Sequence, residues 1–261
     1  MDEVKQKIID LFYKNVKGNR SDTRSSNTKH DGAEGHWLER QMGVAPNADN
    51  KPDLFGYEMK NHTSSGKISY GDWSANEYIF HGKSNKRNNT NKDFNISRDA
   101  FFDFFGKPNL AKNNRPSWSG EPCPTYFHQT TKFGQTLNLD KDNNIIITYS
   151  YSLDERKNKA SIMPSQLQKD ELVIAKWNRQ SLKNKIERKF NQRGWFTCRK
   201  DNNGTYEEIS FGPPMDFNTW LSLFKNKKVY FDSAMYKGNN RPYSMWRSNT
   251  SFWDSLIIDT Y

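Results

Sequence analysis

A fold of the α/β (α+β) class is what this 261-residue sequence predicts, on three observations. Apolar residues at Val4, Ile8, Ile9, Leu11, Phe12 and Val16 make the one-sided stripe of an amphipathic helix packed on a core. Leu54 to Met59 reads as a strand, entered through Pro52, which holds the backbone extended. Asn144 to Tyr151 and Glu171 to Trp177 are apolar, largely β-branched runs of strand length. A chain of this length buries a real core as one large domain or as two lobes.

Composition narrows the partners. Forty Lys plus Arg against thirty Asp plus Glu give a formal charge of +10, and with abundant Asn and aromatics this suits a surface that meets a polyanion. No window is apolar for the 18 or so residues a membrane span needs, and Met1 to Lys5 does not open a signal peptide, so a soluble cytoplasmic protein is expected. Cys123 and Cys198 stand far apart with no Cys or His at metal spacing, which argues against a disulfide framework or a zinc site.

The elements follow in order. After the helix at 4–16, a polar run from Lys17 to Lys29 reads as a loop, either lying along phosphates or solvated with no partner. Gly32 to Met42 is a short helix with Trp37, Leu38 and Met42 inward, stopping at Gly43, and Glu39 follows Leu38 at the edge of that face. Lys67 to Trp73 is a further strand, and Phe80 to Asp93 a basic insertion holding His81, Lys83, Lys86, Arg87 and Lys92. The four phenylalanines between Ala100 and Phe105 read as core. Arg115 to Pro124 is a lobe connection or an ordered loop. Ser181 can cap a helix bearing Leu182, Ile186 and Phe190 and ending at Gly194. Strands at Trp195 to Cys198 and Thr205 to Phe211 flank the turn Asp201-Asn202-Asn203-Gly204. Asp216 can cap a helix burying Phe217, Trp220, Leu221 and Phe224, and Phe252 to Ile258 is a packed terminal element.

The chemistry gathers in Pro52-Asp53-Leu54-Phe55-Gly56-Tyr57-Glu58-Met59-Lys60. Alternation puts Asp53, Phe55 and Tyr57 on one face and Leu54, Glu58 and Lys60 on the other, unless a bulge or bend at Gly56 lets Asp53 and Glu58 converge. Two carboxylates and the carbonyl of Met59 make a hard oxygen site suited to Mg²⁺, with water in the remaining positions. Lys60 shares the face of Glu58 and can hold an attacking water or balance charge in a transition state. His62 can serve as an auxiliary proton donor or phosphate ligand, or be an ordinary loop histidine.

The longer string, Gly35-x-x-x-Glu39, Gly43, then Pro52-Asp53-x-x-Gly56-x-Glu58-x-Lys60, resembles the catalytic signature of the MutH-like branch of the PD-(D/E)XK nucleases, which includes MutH, Sau3AI and the MvaI and BcnI restriction endonucleases. The resemblance covers residues 32 to 62. Met59 departs from a more usual Leu, a volume-conserving change. It implies a mixed sheet flanked by helices and two lobes around a DNA cleft, with residues 1–150 the catalytic lobe and 151–261 the recognition lobe unless the two interleave. By the same resemblance Asp53 and Glu58 hold Mg²⁺, for which Mn²⁺ substitutes, Lys60 is catalytic and Glu39 completes the acidic cluster. A monomer or weak dimer is implied, in a bacterial cytoplasm, with a cognate DNA methyltransferase as genetic partner.

Lys176 to Lys200 carries nine basic residues, among them Lys185, Arg188, Lys189 and Arg193, against the single acid Glu187, and such one-sided charge favours phosphate contact. Tyr230 to Arg247 combines Asn239, Asn240, Arg241 and Arg247, able to make bidentate base contacts, with Asp232, able to accept from cytosine, and with Lys237 beside the turn at Gly238. The expectation is a Type II restriction endonuclease cutting double-stranded DNA at a short G·C-containing, CCNGG-like site. A MutH-like strand-nicking repair endonuclease and a non-catalytic DNA-binding protein are the alternatives.

Overall fold

The computed structural model describes residues 2–22, 33–44, 50–63, 65–81 and 94–261. Residues 23–29 of the polar run, Gly32, and the basic residues Lys83, Lys86, Arg87 and Lys92 lie outside these. The chain divides into two units, each assembled from separated stretches: Met1–Ile68, Asn184–Thr219 and Asn249–Tyr261 form one, Ser69–Lys183 and Trp220–Ser248 the other.

The first unit is organised by a mixed four-stranded sheet in the order Tyr57–Lys60, Gly194–Lys200, Tyr206–Gly212, Asp259–Thr260. The first pair is parallel and the other two are antiparallel. Two helices, Glu3–Asn15 and Ala33–Gln41, bury their apolar stripes against one face. Ile8, Ile9, Phe12, Trp37 and Leu38 join Tyr57, Met59, Phe196, Cys198 and Phe211 in one core. Removing each such side chain from water contributes about 1.5–3 kcal/mol, so this layer anchors the strand that carries the acidic motif. Asp2 caps the first helix by accepting from the Val4 N–H at 3.1 Å, and the second gives way to Gly43 at φ +76°, as the sequence predicts. On the other side Trp195 meets Trp253 edge to face at 4.9 Å, with Phe190 6.1 Å from Trp253.

In the second unit an antiparallel sheet runs Glu77–Tyr78, Leu172–Trp177, Ile145–Asp154, Phe133–Leu139. Tyr230–Ser233, Ser244–Asn249 and Lys67–Asp72 form a three-stranded sheet, and Met235–Tyr236, Arg115–Trp118 and Lys107–Asn109 another. The proline-rich crossing therefore begins as a strand. Trp118, Trp177, Phe231 and Trp246 meet at ring separations of 5.0 to 6.0 Å, and the helix Arg98–Phe105 buries Phe101, Phe102 and Phe105 as core.

One helix differs from its prediction. It runs Arg179–Phe190, so Ser181 lies inside it, and Gly194 opens a strand instead of ending the helix. Its first N–H is satisfied from afar: Arg179 N–H donates to Asn144 Oδ1 at 2.8 Å, a partner 35 residues away that no local cap signal can reveal. Sheets flanked by helices are the α+β class expected. Both cysteines are free and buried, and no helix among the described residues is long and apolar enough to cross a membrane.

Candidate active site

Asp53 and Glu58 are related by a tight turn. Leu54 N–H donates to Tyr57 O at 3.0 Å and Tyr57 N–H returns to Leu54 O at 2.8 Å, while Phe55 and Gly56 both take positive φ, +50° and +89°. Two consecutive left-handed residues are the signature of a type I′ reversal. The strand therefore starts at Tyr57, not Leu54, and the bend allowed for at Gly56 is a complete change of direction. Leu54 consequently packs with Tyr57 and Met59 on the helical core, not beside Glu58, and Phe55 stands at the tip, 52% exposed. Asp53 is folded back along the strand, where its Oδ2 accepts the Met59 N–H at 2.9 Å.

Alternation holds from Tyr57 onward. Tyr57 and Met59 enter the helical core, and Glu58 and Lys60 are both buried, at 2% and 7% exposure. Parallel pairing of Glu58 with Trp195 and Lys60 with Thr197 fixes their height on the sheet. Glu58 Oε1 lies 2.7 Å from Lys60 Nζ and 3.1 Å from Lys189 Nζ, which reaches it from the helix Arg179–Phe190. Glu58 Oε2 is buried and meets no hydrogen-bond donor among the described residues. The Lys60 ammonium also lies 5.1 Å from the centre of the Phe190 ring, a cation–π contact.

Burial raises the Glu58 carboxyl above its ordinary value against the pull of both lysines, and lowers the Lys60 amine against the pull of Glu58. Glu39, half-buried on the second helix, is raised by desolvation and by Asp53, with His36, Lys189 and Lys60 opposing. Those couplings place Glu39, Asp53, Glu58, Lys60 and Lys189 in one electrostatic neighbourhood. Sequence reasoning assigned Lys189 to the DNA backbone and missed its contact with Glu58. Nothing local marks Lys189 out from the other cations of the run; the contact with Glu58 depends on how the helix Arg179–Phe190 meets the strand Tyr57–Lys60.

Among the described residues no three His, Cys, Asp or Glu side chains form a ready-made metal cluster. The smaller donor set of Asp53, Glu58 and the Met59 carbonyl is nonetheless of the hard-oxygen kind that Mg²⁺ takes with several waters. The unmatched, buried Glu58 Oε2 is an acceptor suited to a cation.

The remaining candidates divide. His62 Nε2 lies 3.1 Å from Asp254 Oδ1, and burial lowers its pKa while Asp254 opposes. Arg193 pairs with Asp2, and its N–H donates to Gly56 O at 3.1 Å, so it braces the turn. Lys185 offers its carbonyl to Asn50 Nδ2 at 2.8 Å, and Arg188 is exposed on the same helix. In the second unit Arg241 pairs with Asp72 at 2.7 Å, Arg247 Nε approaches Asp232 at 3.3 Å, and Lys237 lies 3.6 Å from Asp103. Asn240 is exposed, whereas Asn239 is buried and its Oδ1 accepts from the Tyr236 N–H within its own turn.

A family model described as LlaMI restriction endonuclease matches residues 16–261. The chain belongs to that family. As a LlaMI-family restriction endonuclease it is a hydrolase that cuts double-stranded DNA. It is similar to the Type II restriction enzyme ScrFI of Lactococcus lactis subsp. cremoris, 46% identical over 271 residues with 100% of both chains covered. The fold is that of the restriction endonuclease MvaI in complex with cognate DNA substrate, at a TM-score of 0.56 and 12% identity over 100% of this chain and 96% of that one.

Proposed function

We propose that this LlaMI-family enzyme is a Type II restriction endonuclease of the MutH-like branch of PD-(D/E)XK nucleases. In this reading Asp53, Glu58 and the Met59 carbonyl hold Mg²⁺, Lys60 assists the chemistry and Glu39 completes the acidic cluster. The observation that carries the reading is Glu58, a 2%-exposed carboxylate with two ammonium groups on one oxygen and an unmatched second oxygen, beside the folded-back Asp53. A buried carboxylate set among charges and raised by desolvation is the kind of group that reacting centres use.

A bound Mg²⁺ would polarise the scissile phosphate and activate water. The chain's own groups do the positioning. Lys60, steadied by Glu58 and the Phe190 ring, presents an ammonium to the reacting phosphate and offsets charge that builds on its oxygens. Asp53 is aimed by its hydrogen bond to Met59, so its second oxygen has a defined direction. Glu39 adds a third carboxyl group to the neighbourhood of Asp53 and Glu58.

Lys185, Arg188 and Arg193 contribute positive charge on and after one helix, suited to phosphates, and Lys237, Asn240, Arg241, Arg247 and Asp232 are polar groups suited to base edges. Arg for guanine and Asp for cytosine support a short G·C-containing site, of the CCNGG kind. The reading carries with it a monomer or weak dimer in the bacterial cytoplasm and a cognate methyltransferase that protects the host site.

Incubation with unmethylated plasmid and Mg²⁺ tests it. Discrete double-strand fragments are expected. Single nicks alone would point to strand-specific repair instead, and intact plasmid despite tight binding would overturn the catalytic assignment.

A further inference from the structure

Arg241 sits in the segment 237–243 between the strands Met235–Tyr236 and Ser244–Asn249. Its side chain is 52% exposed, yet it is held in place. Nη2 donates to Asp72 Oδ2 at 2.7 Å, and the guanidinium carbon lies 4.4 Å from the centre of the Tyr243 ring. Asp72 closes the strand Lys67–Asp72, and its other oxygen accepts the Ser244 N–H at 2.8 Å. Ser244 is fully buried, its hydroxyl 3.2 Å from that of Tyr78 and its carbonyl accepting from the Trp73 N–H at 2.8 Å. The Asp72 carboxylate is thus mounted on rigid backbone, and it fixes one nitrogen of an exposed guanidinium.

An exposed ion pair of this kind adds little to stability, so its consequence is directional. Arginine carries five donors in one plane. Asp72 takes one of them and the Tyr243 ring supports the group, which leaves donors for the paired O6 and N7 acceptors of guanine. A side chain already held in its reading plane loses less freedom on binding, and a held plane tolerates a mismatched base less well than a swinging one.

We infer that Asp72 is a specificity-positioning residue, which orients Arg241 towards one base pair of the recognition site. The inference rests on the proposed reading of Arg241 as a base contact.

Cleavage of a duplex library randomised across the site identifies the preferred sequence, and kcat/KM is then measured on each of its single-base variants. Arg241→Ala is expected to relax discrimination at one position. Asp72→Asn retains an acceptor for the Ser244 N–H while removing the charge, and should relax that same position about fivefold, leaving the others alone. In the Arg241→Ala background Asp72→Asn should add nothing, because it acts through the arginine. Tyr243→Leu removes the supporting ring without touching Asp72 and should relax the same position, so it carries the test if Asp72→Asn does not fold. If Arg241→Ala weakens all sequences alike, the base-contact reading and the inference fall together. If Arg241→Ala relaxes one position while Asp72→Asn (or, where that protein does not fold, Tyr243→Leu) leaves it unchanged or shifts every position equally, the inference alone falls.

Discussion

Lys189 Nζ and Lys60 Nζ share one oxygen, Glu58 Oε1, at 3.1 and 2.7 Å. Two ammonium groups on a buried carboxylate bring part of the basic run of residues 176–200 to the proposed catalytic centre instead of leaving it all on the surface. Lys189 is therefore expected to act on the chemical step. Lys189→Ala should slow single-turnover cleavage at saturating enzyme roughly 10²-fold, the size of effect seen when one charge-stabilising donor is lost. Its exposed neighbour supplies the contrast: Arg188→Ala should weaken all sequences alike and lower the slope of log K against log salt by about 0.9. Identical behaviour of the two variants would return Lys189 to the phosphate contacts.

Replacing either carboxylate isosterically should separate binding from cutting. Glu58→Gln and Asp53→Asn are expected to reduce cleavage at least about 10²–10³-fold, while DNA affinity without metal stays level or rises as negative charge is removed. Filter binding alongside single-turnover cleavage checks this. Lost affinity with undiminished cleavage per bound complex would move the metal site elsewhere.

A second ion pair, remote in sequence from the acidic motif, gives a further test through the pH dependence of stability. Asp154, whose side chain is fully buried, receives Arg156 Nη2 at 2.6 Å and Nε at 3.0 Å, and the Tyr149 hydroxyl at 3.0 Å. Burial works to raise this carboxyl, but the Arg156 hydrogen bonds outweigh it and hold it below its usual range. A depressed folded value gives stability that is present above the unfolded pKa of about 4 and is lost as pH falls through the folded one. Asp154→Asn should cost roughly 1–3 kcal/mol at pH 7, since it removes the counter-charge from a largely buried guanidinium. The gap between wild type and variant in urea unfolding should narrow towards pH 3; a gap independent of pH would contradict the charge argument.

The turn at Phe55-Gly56 offers a test of local strain. Phe55 holds φ +50° although Asn is the residue this position favours, so Phe55→Asn should raise stability by roughly 0.5 kcal/mol. Gly56→Ala should lower it by roughly 1–2 kcal/mol, as φ is +89° and an added Cβ would press on Arg193 Cδ and Gln192 Oε1 at 3.3 Å. Denaturant midpoints measure both, and equal responses of the two variants would exclude the type I′ geometry.

Much of the centre was legible because it depends on short-range pattern. The stripe of Ile8, Phe12, Trp37 and Leu38 announces the layer that packs on the sheet, and alternation after Tyr57 orders Glu58 and Lys60 on one face. What stayed hidden depends on distant partners. Gly56 signals a bend, but Phe55 gives no turn signal, so the full reversal that aims Asp53 does not show in the sequence. Arg179 begins its helix because Asn144 satisfies its N–H. Lys189 looks like eight other cations until the parallel pairing of Glu58 with Trp195 sets the strand in the sheet and the helix is seen to bring its ammonium to Glu58. Asn239 carries the right side chain for adenine but spends its oxygen on its own backbone turn.

The hydrogen bond from Met59 N–H to Asp53 Oδ2 also bears on which inactive protein to prepare for co-crystallisation with DNA. Tyr57–Lys60 is the outer strand of its sheet, and an outer strand with a bare N–H invites pairing with another chain. Asp53→Ala would expose that donor and favour association at crystallisation concentrations. Asp53→Asn keeps a carbonyl oxygen over it, and is the variant expected to stay monodisperse while still unable to cut.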